Sequence, residues 1–171
     1  MSQFRQVVLA SSVLVALAPG ASAQEAEEAD WDVQEAALLW AFENAETTLS
    51  PPAAYCVGVN DGLVIGDPSP AFLERFAGGE VPVRAASECE LKGVEAIAFD
   101  PTADPIVADR ASGRPAILFD FGAVIRPGES SAEMLVHYLQ SLTLGSGWRC
   151  ELRTSDDGIW QVSSCEVDVQ P

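Results

Sequence analysis

Positive charge is what this sequence has least of. Only 9 of its 171 residues are Lys or Arg, against 26 Asp and Glu, for a net charge of −17. Such a chain repels phosphate backbones and anionic headgroups, which excludes nucleic acid as a partner. Histidine is scarcer still: His137 is the only one. A multi-histidine metal centre is therefore impossible, and any serine or cysteine triad would have to run through that one imidazole. There is no Gly-x-Ser-x-Gly, Walker-type loop, dinucleotide fingerprint or zinc-binding helix motif. Cys-x-x-Cys is missing too, so zinc ligation and a redox pair have no carrier. The reading is of no cofactor and no metal.

Long apolar runs are also absent, with one instructive exception. Arg5, the apolar run Val7 to Leu17, the Pro19-Gly20 break and Ala21-Ser22-Ala23 form a signal-peptide pattern, and the run is too short to cross a bilayer. Residues 1–23 read as a cleaved signal, with the mature chain beginning near Gln24 in the periplasm or outside the cell. No membrane span is expected in the mature chain. Residues 24–30, Gln-Glu-Ala-Glu-Glu-Ala-Asp, hold no large apolar side chain and read as a disordered acidic leader. Residues 31–171 supply enough apolar material for one domain.

Within that domain Asp32 and Glu35 form a capping-box pattern ahead of a helix whose Leu38, Phe42, Ala45 and Leu49 share one face. Ser50-Pro51-Pro52 ends it. Tyr55 to Val59 reads as a strand closed by Asn60-Asp61-Gly62. Asp67-Pro68-Ser69-Pro70 and Gly78-Gly79 bracket a short second helix over residues 68–77. Strands are then expected over Val81 to Cys89, Val94 to Phe99, Ile106 to Ala108, Pro115 to Ile125, Ser131 to Leu142, Trp148 to Thr154 and Trp160 to Val169. Two helices followed by hairpins imply α+β: an N-terminal helix and a short second one packed on a single face of a curved, mainly antiparallel sheet.

The four cysteines, all downstream of the signal, imply an oxidising compartment and two disulfides. The last hairpin allows a geometric choice among the three possible connectivities. A two-residue loop at Asp157-Gly158 opposes Cys150 to Cys165 but scatters the apolar residues over two faces. A three-residue loop, Asp156-Asp157-Gly158, pairs Thr154 with Trp160 and Leu152 with Val162, and one extra residue near Ser163-Ser164 restores Cys150 to Cys165. The bulged register is preferred because it gathers Trp148, Cys150, Leu152, Trp160, Val162, Cys165 and Val167 on one buried face. Cys56 is left to pair with Cys89. Loops of about 15 and 33 residues make these links worth roughly 3 and 3.7 kcal/mol on the chain-entropy model.

The candidate chemistry is sparse. Leu135, His137 and Leu139 share a strand face, and Asp120 on the preceding strand is placed to orient the imidazole. His137 and Asp120 are the only candidate catalytic residues, and a half-exposed strand histidine bonded to a neighbour is the simpler account. The acidic stretches Asn60 to Asp67 and Asp100 to Asp109 lack calcium-loop spacing and read as turns. Trp40, Trp148 and Trp160 are expected to share one core.

Asp67-Pro68-Ser69 with Phe72-Leu73-Glu74-Arg75-Phe76, Val81-Pro82-Val83 leading to Ser87, and Gly158-Ile159-Trp160-Gln161-Val162 together resemble a loosely defined, largely uncharacterised group of small secreted bacterial proteins. The resemblance covers about half the chain and implies no activity. The plan is also similar, as a fold analogy, to NTF2-like and cystatin-like folds, departing from the former by having one long helix and one short one. The expected function is an exported, non-catalytic, disulfide-stabilised binding or interaction module for a protein or small-molecule ligand. The alternatives are an NTF2-like enzyme using His137 and Asp120, or a secreted inhibitor projecting the loop over residues 100–114.

Overall fold

The computed structural model describes residues 21–169 apart from Phe99 and Pro101. The signal peptide expected over 1–23 lies outside the described residues except for its last three. Helix α1 spans Ala21–Asn44 and so begins well before Asp32. The backbone over 24–30, expected as a disordered leader, is helical, since Ala, Glu and Gln are strong helix formers. Asp32 and Glu35 consequently sit mid-helix with no N-terminus to cap. They bind the Arg75 guanidinium instead, Glu35 accepting from its Nε at 2.6 Å.

Val33, Ala37, Leu38 and Ala41 form the fully buried stripe of α1, at the spacing one helical face requires. Past Asn44 the chain is stapled to the sheet. Thr47 Oγ1 donates to Gln140 Oε1 at 2.7 Å, Gln140 Nε2 donates to Thr48 Oγ1 at 2.7 Å, and the Tyr138 hydroxyl donates to the Glu46 carbonyl at 3.0 Å. The second helix, α2, is Pro70–Glu74, shorter than the expected 68–77. Ser69 rather than Asp67 caps it, accepting from Phe72 N at 3.2 Å, because Asp67 is taken by the backbone and hydroxyl of Ser87.

Among the described residues ten strands form one curled sheet: β1 (Tyr55–Asn60), β2 (Ile65–Gly66), β3 (Val83–Ala85), β4 (Cys89–Lys92), β5 (Ile106–Asp109), β6 (Ile117–Phe121), β7 (Ile125–Gly128), β8 (Ser131–Ser141), β9 (Leu144–Thr154) and β10 (Trp160–Val169). The main order is β10-β9-β8-β6-β1-β2, with β3 on β1, β4 on β5, and both β5 and β7 on β8. Most pairs are antiparallel, but β1 runs parallel to β6 and to β3, which a simple meander would not contain. Long connections separate these partners in sequence, and only hairpin neighbours are obliged to be antiparallel.

Two expected strands take other forms. Val81 to Cys89 is broken at Ala86–Glu88 by a 3₁₀ turn in which the Glu88 carboxylate accepts from Ala85 N at 3.1 Å. Val94–Ala98 is a 3₁₀ helix, closed by Ala96 N to Gly93 O and Asp100 N to Ala96 O, so its apolar alternation was not a strand signal. The loop needed for an inhibitor does not project over its middle. Asp104 accepts from Ser141, Leu142 N donates to Pro105 O, and Val107, Ala108 and Asp109 are buried.

Alternation along β8 divides the interior in two. Its even-numbered residues, with Ile117, Phe119 and Phe121 of β6 and Trp148, Cys150 and Leu152 of β9, pack beneath α1. Trp40 meets Trp148 edge-on at 5.4 Å, and Tyr138 stacks on Trp148 at 5.1 Å, so Trp31, Trp40, Trp148 and Trp160 share this core. A smaller core of Ala54, Cys56, Cys89, Val107 and Ala116 lies apart from it, with Leu118 and Leu139 packed on it. Both faces are thus partly covered, where one was expected, because the sheet curls and β4–β5 pairs back onto β8 through Ile106 and Ser141.

The cysteines pair as Cys56–Cys89 and Cys150–Cys165, with Cα atoms 6.3 and 4.1 Å apart. The terminal hairpin takes the bulged register, Thr154 opposite Trp160 and Leu152 opposite Val162, with the shift between Val162 and Ser164. Val167 departs from expectation: it stands on the edge strand beside a second irregularity and is 57% exposed. Peptide mapping of the oxidised protein is expected to return these two linkages alone. Replacing Cys150 and Cys165 by Ala should lower the unfolding free energy by about 3 kcal/mol, and an unmoved denaturation midpoint would contradict a structural role for that link.

Candidate functional site

Cross-strand register brings the two sequence-predicted residues together. Asp120 of β6 lies opposite His137 of β8, which lies opposite Gly147 of β9. His137 Nδ1 is 3.0 Å from Asp120 Oδ1, and Asn60 Nδ2 donates to the same oxygen at 2.7 Å. A carboxylate oxygen accepts, so the proton of this bond sits on Nδ1 and Nε2 is left as the basic nitrogen. Asn60 Oδ1 in turn accepts from Gly62 N at 2.8 Å, tying the row to the β1–β2 turn.

The floor of the row is glycine for a steric reason. A Cβ on Gly147 would fall 2.2 Å from His137 Cδ2, so only glycine lets the ring lie across β9. Gly58, opposite Asp120, is filled in the same manner by Ile65 Cγ2. Hydrogen bonding to Asp120 raises the His137 pKa, burial opposes this, and the negative charges of Asp120 and Asp168 add to the rise. Asp168 is held by Arg149 Nη2 at 3.0 Å.

This row is nearly buried at Asp120 and half-buried at His137. A hollow of about 200 Å³ is lined by Gly122, Leu135 and Arg149, each two residues along the chain from Asp120, His137 and Gly147. Neither His137 nor Asp120 lines it. The oxygens of the acidic stretches are engaged within the protein: in local turns Asp61 accepts from Leu63 N and Val64 N, Asp100 from Thr102 and Asp109 from Ser112, while Asp104 reaches across to accept from Ser141 and Thr143. Hydrogen bonding lowers the pKa of each of these four. Among the described residues no three His, Cys, Asp or Glu side chains converge on one ion position.

A larger concavity lies on the helix side, where sequence reasoning placed nothing. Two cavities, of about 340 and 520 Å³, share Glu35, Leu39 and Arg75. The first is walled by Asp32, Ala36 and the Gly158-Ile159-Trp160 turn, and the second by Phe42, Tyr55, Phe76 and the chain from Gly78 to Val83. Phe42 stacks on Tyr55 at 4.4 Å and meets Phe76 at 5.9 Å, giving an aromatic floor. Burial, with the charge of Glu80, raises the Tyr55 pKa. Leu39 and Ile159 are 47% and 58% exposed in this groove. Leu39 was legible as a large apolar residue off the buried stripe, and Arg75 as one of few cations; their juxtaposition was not.

Comparison with protein families, curated proteins and solved structures finds no match to this chain.

Asp120→Asn is expected to lower the His137 pKa, measured by NMR titration of the imidazole. Gly147→Ala should do the same by pushing the ring off Asp120. Because the folded pKa is raised, the pair contributes stability fully below the unfolded value of about 6.5. That contribution is lost as pH rises through the folded pKa. An unchanged His137 titration in both variants would contradict the pairing.

Proposed function

We propose that this chain is an exported, non-catalytic, disulfide-stapled binding module that takes its ligand in the groove beside α1. Export after cleavage near Ala23, to the periplasm or the medium, is supported by the signal-like first residues and by two disulfides, which persist in oxidising compartments. The observation that carries the binding reading is the junction of two cavities at Glu35, Leu39 and Arg75, with exposed apolar side chains on an aromatic floor. A concave, mainly apolar surface with a few convergent charges is the usual form of a ligand site.

A neutral solvatochromic dye, Nile red, tests it. Its emission is expected to rise with the native protein, and Leu39→Glu should remove most of the rise while shifting the unfolding free energy by no more than about 0.5 kcal/mol. A dye response indifferent to Leu39→Glu would overturn the reading.

A proton-transfer enzyme is the second reading, favoured by one observation: Asp120 fixes the His137 proton on Nδ1 and leaves Nε2 as a base over the Gly147 floor. It predicts that ligands perturb the His137 ring signals, whereas the groove reading predicts perturbation of Leu39, Tyr55 and Phe76.

A further inference from the structure

We infer that the groove accepts a short basic, apolar segment of another polypeptide, an inference that rests on reading the groove as the binding site. Its shape favours a chain over a compact molecule. Asp32, Glu35, Leu39 and Phe42 line it along one side of α1, and the ten helical steps from Asp32 to Phe42 extend about 15 Å. That length accommodates roughly three helical turns, or four to five extended residues, of a partner.

Its charge selects the partner's sign. Asp32 lines one cavity, Glu80 the other and Glu35 their junction, and among the described residues the one cation lining either cavity, Arg75, is already engaged by Asp32 and Glu35. The surplus is negative, on a chain of net charge −17. A second copy of this chain would bring the same acidic surface and is opposed on that ground, as is any nucleic acid. Apolar contact comes from Leu39 and from Ile159, the latter set on a turn closed by Ser155 N to Ile159 O at 2.9 Å and Ile159 N to Ser155 Oγ at 3.2 Å. A turn tied in this way holds its side chain in place before the partner arrives, which limits the entropy lost on binding.

The test is titration of the full-length protein with two amphipathic peptides of three helical turns, one with Leu at i, i+3, i+4 and i+7 and Lys on the other positions, the second with Glu in place of each Lys. The Lys/Leu peptide should bind and the Glu/Leu peptide should not, with affinity falling as salt is added. Glu35→Gln with Glu80→Gln should weaken the Lys/Leu peptide about tenfold, while Glu151→Gln with Glu166→Gln, on the far face, should leave it unchanged. Equal weakening by both pairs would mean general charge attraction and would overturn the inference. Equal binding of both peptides, each lost in Leu39→Glu, would overturn the basic class while keeping the groove. Binding of neither peptide, with the Nile red response insensitive to Leu39→Glu, would remove the groove itself.

Discussion

Strand β8 is the constraint on which the rest depends. It is hydrogen-bonded to β5, β6, β7 and β9, so its period of two is imposed on most of the sheet. One set of its side chains builds the aromatic core under α1, and the other builds the Asp120–His137 row. A slip of one residue would exchange the two faces. The clamp of Thr47 and Thr48 on Gln140, and of Tyr138 on the Glu46 carbonyl, locks the end of α1 to the same strand. The groove is a consequence: α1 is held over the sheet at a height that leaves Leu39 outside the core, facing Arg75 and the terminal hairpin turn.

The two faces do different work. On the outer face the polar groups satisfy one another, Asn60 and His137 donating to Asp120 and Arg149 to Asp168, and the glycines at 58 and 147 exist to let side chains cross. Buried polar atoms must find partners, and a row of this kind does that whether or not it moves protons. On the helix side the exposed apolar surface has no such internal explanation. Isolated exposed leucines are ordinary, but Leu39 and Ile159 converge with aromatic residues on one concavity.

What could be read from sequence was what local geometry decides. The terminal hairpin was legible from its turn to Cys165, bulge included, because turn chemistry, apolar alternation and two cysteines all constrain one register; beyond Cys165 nothing did, and Val167 departs. The pairing of Asp120 with His137 followed from alternation on β6 and β8, which only the short β7 separates along the chain. Helix α1 was misjudged at its start because a capping pattern at Asp32 competed with the helix propensity of the Ala and Glu residues before it, and propensity prevailed. The parallel pairing of β1 with β6 was illegible because it joins segments separated by α2, two 3₁₀ segments and four strands. The groove was hidden for the same reason: Leu39, Arg75 and Ile159 belong to three distant elements, and nothing local marks their meeting.

Amide hydrogen exchange with and without a bound Lys/Leu peptide tests the central claim, that α1 is mounted on β8 so as to leave the groove at Leu39 open to a ligand as proposed, most directly. The account predicts added protection at residues 32–42 and 76–83, with the outer-face strands unchanged. Protection that falls instead along β8 and β9 around His137 and Gly147 would contradict it.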